Sequence, residues 1–106
     1  MNNFSDMLSK AKNMQEKIKE AQEKIKKIEV EGFSGGELVK VVLSGDYEMK
    51  TIFIHENAKN EKKEVINDLI IAAYNDAKDK LKKKTSEEIL KVTGIPNLPF
   101  DLKMPF

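Results

Sequence analysis

A long heptad seam opens this chain and constrains it more than any other feature. Phe4, Met7, Ala11, Met14, Ile18, Ala21, Ile25 and Ile28 follow one another at alternating spacings of three and four. On an α-helix that spacing lines the eight side chains along one narrow stripe, a coiled-coil seam of about three and a half heptads. A stripe so long and so narrow calls for a second helix beside it, and its two alanines ask that helix to come close. Ser5 or Asp6 is placed to cap the start, and Glu20/Lys24 and Glu23/Lys27 are spaced for ion pairs on the exposed face. The methionines at 7, 14 and 49 read as core filling rather than a binding surface.

After the seam the period changes from helical to alternating. Glu29 to Phe33 reads as a short strand, and Ser34-Gly35-Gly36 as a turn. Leu38 to Ser44 reads as a strand with Val39, Val41 and Leu43 on one face and Leu38, Lys40 and Val42 on the other. Gly45-Asp46 turns the chain into a return strand, Tyr47 to His55, with Ile52 and Ile54 on one face and Met49, Thr51 and Phe53 on the other. Apolar residues thus occupy both faces of the meander. One face fits the chain's own helices; Leu38, Val42, Met49 and Phe53 on the other need cover, and a second copy supplies it most economically. A polar connection, Glu56 to Glu61, leads to a second helix from about Lys62 with a stripe of Val65, Ile66, Leu69, Ile70, Ala73, Ala77 and Leu81. Thr85 and Glu88 are spaced either to restart a helix with a capping box or to lie in one continuous helix to about Val92.

The expected organisation is one α+β domain over residues 1–106. It comprises a helical arm at 1–28, an antiparallel sheet at 29–55, a long helix at 62–92 and an extended tail at 93–106 whose spaced apolar residues suit docking on a groove. Within Ala72 to Ala77 the polar pair Asn75-Asp76 interrupts the apolar run. Either that turn faces outward, or Asn75 bonds a strand end and fixes the helix on the sheet. A first helix of about 25 residues reaches roughly 37 Å, longer than any strand here, so the helices should overhang the sheet as two-helix arms.

Charge narrows the function. The chain of 106 residues balances 19 basic against 18 acidic side chains, yet they are not mixed. Residues 1–28 hold seven lysines against four acids, and residues 29–61 three against seven. The helices therefore carry a basic surface suited to a polyanion, although lysine-rich helices are often merely solvated. Lys10, Lys17 and Lys24 recur every seven residues along one flank of the seam, and Lys12 and Lys19 belong to a second stripe. Lys78, Lys80, Lys82, Lys83 and Lys84 crowd the later turns of the second helix. An antiparallel hairpin would set that cluster beside the early part of the first helix. Every basic residue is lysine, which contacts phosphates as a point charge and lacks the fork that reads guanine edges.

Catalysis finds little support in the residues. There is no cysteine, which removes disulfides, thiolate zinc sites and cysteine nucleophiles. His55 is the one histidine and has no second ligand to share a metal, so it reads as structural or solvent-facing. Asp76 and Asp79 sit among lysines, where surface ion pairing is expected rather than acid–base chemistry. No Gly-rich phosphate loop precedes a helix. No catalytic, metal or cofactor residue and no small-molecule substrate is expected. No apolar run approaches a membrane span, and the first residues lack a signal-peptide pattern, so a cytoplasmic protein is expected.

Several segments together resemble the YbaB/EbfC family of bacterial nucleoid-associated proteins across essentially the whole chain. They are Met14-Gln15-Glu16-Lys17, Leu38-Val39-Lys40-Val41 after a glycine turn, Gly45 opening the return strand, Asp68 through Ala77, and the closing Lys103-Met104-Pro105-Phe106. The resemblance implies an α/β protomer of helix, three-stranded antiparallel sheet and long helix, forming an intertwined homodimer with projecting helical arms. It implies binding of double-stranded DNA in the nucleoid without catalysis, with effects on nucleoid organisation and gene expression. The alternative reading is a coiled-coil protein-interaction module whose lysines serve solubility alone.

Overall fold

A computed structural model of the protein describes residues 2–94. The order is α1 (Asn2–Lys26), β1 (Glu29–Ser34), β2 (Val39–Ser44), β3 (Met49–Ile54), a 3₁₀ turn at Glu56–Ala58 and α2 (Lys63–Thr93). The expected α+β class and element order are therefore those of the molecule. Of the tail expected at 93–106, Thr93 still belongs to α2 and Gly94 caps that helix, while residues 95–106, expected to dock on a groove, lie outside the described residues. Because α1 is already helical at Asn2, Ser5 and Asp6 lie inside its first turns and do not cap it.

The three strands form an antiparallel meander in the order β1-β2-β3. Val30 pairs with Leu43 and Gly32 with Val41; beyond them Val41 pairs with Ile52 and Val39 with Ile54. One face is thus built from Val30, Gly32, Val39, Val41, Leu43, Ile52 and Ile54. A bulge between Val42 and Leu43 sets Met49 opposite Leu43, out of line with Thr51 and Phe53. The polar connection holds a short 3₁₀ turn that no apolar period announces. His55 caps it, its Nδ1 accepting the N–H of Asn57 at 3.0 Å.

Helix α2 lies principally over β1 and β2. Val30, Val39, Val41 and Leu43 bury against Ala73, Ala77 and Leu81 on it. The helix can come this close because the contact is made by small residues. A Cβ at Gly32 would sit 2.1 Å from the Ala73 carbonyl oxygen and 2.4 Å from the Ala77 nitrogen. Gly45 does the same for α1, since a Cβ there would meet the Ile25 carbonyl oxygen at 1.7 Å. Helix α2 runs unbroken through Thr85, which settles the choice between a restart and one helix. Thr85 is buried and its hydroxyl finds no hydrogen-bond partner among the described residues.

The helix pairing corrects the expectation of two-helix arms. Only Ala21 and Ile25 of the seam are buried, against Ile89, with Ile28 and Val92 beside them. Phe4 and Met7 remain 68% and 67% exposed, so Met7 does not fill a core in the described chain. The reason is one of length. By Leu81, α2 is still packed on the sheet, and it ends at Thr93, which leaves about three turns to accompany α1. The earlier turns of α1 project alone, and the molecule measures 72 × 20 × 19 Å.

Candidate nucleic-acid interface

The lysines divide into two groups with different surroundings. On α1, Lys10, Lys12, Lys17, Lys19 and Lys24 are all exposed. Lys24 lies 3.7 Å from Glu20, a solvent-exposed i,i+4 pair of small worth. Among the described residues no ion pair engages Lys10, Lys12, Lys17 or Lys19. All four precede Ala21, where the buried contact of α1 with α2 begins, so an approaching polyanion meets their exposed side chains directly.

On α2, Lys82, Lys83 and Lys84 are exposed as well, while Lys78 is half-buried. Lys80 and Lys84 line an open cleft with Glu29, Val30, Glu31, Phe33 and Val42. Lys80 differs from the rest because its ammonium is already engaged. Its Nζ lies 2.8 Å from Asp76 Oδ2, donates to the Glu31 carbonyl at 3.1 Å and rests 5.2 Å from the centre of the Phe33 ring. Asp76 also accepts the backbone N–H of Phe33 at 2.9 Å. The Lys80 contact, followed by the Phe33 N–H, holds the Asp76 carboxyl below the usual carboxylate range. The anchor between helix and strand is therefore Asp76 and not Asn75, which stays exposed. The ion pairing expected of Asp76 among its lysines does form.

The structure does not bring the two lysine groups together at an arm tip. Leu81 packs with the sheet core, and Ile89 packs on Ala21 and Ile25. Counting helical rise outward from that contact places Lys10 and Lys82 on the order of 30 Å apart along the long axis. The expected meeting of Lys78–Lys84 with the early part of α1 is thereby overturned. An antiparallel pair matches chain ends by where the contact sits, and here it sits at the far end of α1.

The four residues expected to face a second copy also fall in different surroundings. Leu38 and Val42 are half-buried, while Met49 and Phe53 are exposed on β3. Lys40 bridges to Glu31 at 3.4 Å and lies 5.9 Å from the centre of the Phe53 ring, so this outer face is partly polar. Among the described residues no cluster of side chains could hold a metal ion, and no helix is long and apolar enough to cross a membrane.

A helix–sheet–helix chain with a projecting lysine-bearing helix defines a small α+β protein with a basic helical surface. The chain belongs to the YbaB/EbfC DNA-binding family, whose model matches residues 1–95. It is 38% identical to a nucleoid-associated protein of Hahella chejuensis, over 98% of this chain and 96% of that one. It is 43% identical to nucleoid-associated proteins of Rhodospirillum centenum and of Paramagnetospirillum magneticum, each over the full length of both chains.

Proposed function

We propose that the protein is a homodimeric nucleoid-associated protein of the cytoplasm. It binds double-stranded DNA with little sequence preference and so affects nucleoid organisation and gene expression. The observation that carries this reading is the part of α1 before its buried contact with α2 at Ala21, on which Lys10, Lys12, Lys17 and Lys19 are exposed and, among the described residues, in no ion pair. Lys24 continues that surface, and Lys78, Lys82, Lys83 and Lys84 extend it onto α2. Lys80 contributes less because Asp76 and Glu31 already hold it. The span from Lys10 to Lys82, on the order of 30 Å, is close to one turn of B-form DNA, about 34 Å, so both groups can reach phosphates of one duplex. Lysine ammonium groups contact phosphate oxygens and carry no base information, which accounts for broad binding.

A mobility assay on unrelated duplexes at several salt concentrations tests this. Each phosphate neutralised adds about 0.9 to the log–log salt slope, so a dimer using a few lysines per arm gives roughly −4 to −7. Similar affinity for all duplexes with that slope supports the proposal; strong preference for one sequence removes its non-specific part. A second reading is favoured by Phe4, Met7 and Leu8, which are 68%, 67% and 53% exposed along α1. A chain that binds no duplex even at low salt would be a coiled-coil interaction module instead.

A further inference from the structure

DNA binding uses the lysines of α1 and leaves its apolar stripe without an occupant. Phe4, Met7, Leu8 and Ala11 are exposed, and Met14 and Ile18 are half-buried. Burial becomes complete at Ala21, where the contact with α2 begins. From Asn3 to Glu20 the helix therefore presents about 27 Å of two-sided surface. Three large apolar side chains gathered within about one and a half turns and left in water mark a surface that meets something.

Charge says what that something is. Along the helix, Lys10 and Lys17 stand on one shoulder of the stripe and Lys12 and Lys19 on the other. Glu16 and Glu20 lie behind the stripe, and Asp6 is the one acid of these turns beside a shoulder. A second α1 is a poor occupant. Laid antiparallel, it would set the flank of Lys10, Lys17 and Lys24 against the same flank. Laid parallel, it would set that flank against Leu8, Gln15 and Gln22, so neither arrangement forms an ion pair. A duplex takes the lysines but offers little hydrocarbon to Phe4, Met7 and Leu8. A flat surface that is anionic outside and apolar beneath takes both at once. The lysine stems then run beside the stripe and carry their ammonium groups out to phosphates on either side.

We propose that α1 also lies on anionic phospholipid membranes, with Phe4, Met7 and Leu8 inserted at the boundary of headgroups and acyl chains and Lys10, Lys12, Lys17 and Lys19 on lipid phosphates. The helix rests on the bilayer and does not cross it, since no helix among the described residues is long and apolar enough to do so. This goes beyond DNA binding and separates from it chemically. The lysines serve either polyanion, so duplex and membrane compete for one helix, whereas the apolar side chains serve the membrane alone. One helix with four lysines gives reversible, salt-sensitive association.

The chain has no tryptophan, so Phe4→Trp supplies a single fluorescent reporter. Vesicles of equal phosphatidylglycerol and phosphatidylcholine are compared with vesicles of phosphatidylcholine alone. The unmodified protein should sediment with the anionic vesicles about tenfold more than with the neutral ones, and Phe4→Trp emission should shift to the blue on the anionic vesicles only. Phe4→Ser, Met7→Ser and Leu8→Ser combined should keep the far-UV circular dichroism, since none of the three belongs to a buried cluster. That variant should keep its affinity for duplex DNA and lose about tenfold or more in vesicle binding. No sedimentation of the unmodified protein even at low salt overturns the proposal and leaves the DNA reading standing. Vesicle binding that survives the triple substitution, or emission that does not move, reduces the contact to lysine attraction and overturns the insertion. A triple variant that loses duplex affinity to the same extent assigns the stripe to DNA and overturns the proposal as well. A lower mass for that variant by light scattering, with no vesicle binding by either protein, assigns the stripe to a second copy. If the triple variant fails to fold, the emission of Phe4→Trp decides.

Discussion

The carboxylate of Asp76 accepts the N–H of Phe33 at 2.9 Å, tying α2 to β1 across 43 positions of sequence. Lys80, one turn on, takes the Glu31 carbonyl in the same strand. One pair on one helix face thus satisfies a donor and an acceptor that a free edge would present to any other chain.

Removing that carboxylate should weaken the fold measurably. Asp76→Ala is expected to cost about 1–2 kcal/mol, the low side for a charged hydrogen bond because the side chain is 39% exposed. Asp76→Asn keeps an acceptor for Phe33 and should cost less. The pH dependence has a fixed sign. Since folding lowers the Asp76 pKa, its contribution is complete above the unfolded value of about 3.9 and is lost as pH falls through the folded value. Melting temperatures of Asp76→Asn and the unmodified protein should differ most at neutral pH and converge below about pH 4.

Gly32 has no room for a side chain. Its Cβ would strike backbone atoms of α2 on both sides, which a rotamer change cannot relieve. Gly32→Ala should therefore destabilise by about 3 kcal/mol, read as a lower urea midpoint with unchanged slope. A loss below about 0.5 kcal/mol would mean that α2 lifts from the sheet without penalty.

Thr85 offers the opposite case. Its buried hydroxyl has no partner among the described residues, so folding removes it from water without compensation. Thr85→Val keeps the branched shape and should raise stability by about 1 kcal/mol, visible as a higher melting temperature. A drop of that size would show that the hydroxyl is bonded in the assembled protein.

The separation of the lysine groups predicts how their replacements combine on DNA. Replacing Lys82, Lys83 and Lys84 together by Gln should weaken binding to all duplexes alike and flatten the salt slope by about 0.9 for each phosphate no longer neutralised. Replacing Lys10, Lys12 and Lys17 by Gln should do the same. By helical rise the two sets lie from about 17 Å (Lys17 to Lys84) to about 30 Å (Lys10 to Lys82) apart, beyond a Debye length at physiological salt, so their effects should add in the combined variant. Strong non-additivity in titrations would place both sets against the same few phosphates.

The sequence determined what depends on neighbours along the chain. The heptad period made α1, the alternation of Val39, Val41 and Leu43 made β2, and the Ser34-Gly35-Gly36 and Gly45-Asp46 breaks set the meander. Such signals survive because a helix turn or strand face is built from residues within a few positions of one another. The tertiary structure decided everything that depends on how far one element slides past another. Whether α2 accompanies the first or the last turns of α1 follows from where Gly32 and Gly45 let backbones approach, and no periodicity records that register. The same sliding chose Asp76 over Asn75 as the anchor, engaged Lys80 while leaving Lys10 free, and uncovered Ile52 on a face that alternation assigns to the core. Local pattern fixes which side of an element is apolar; only packing across the chain fixes which length of that side is covered.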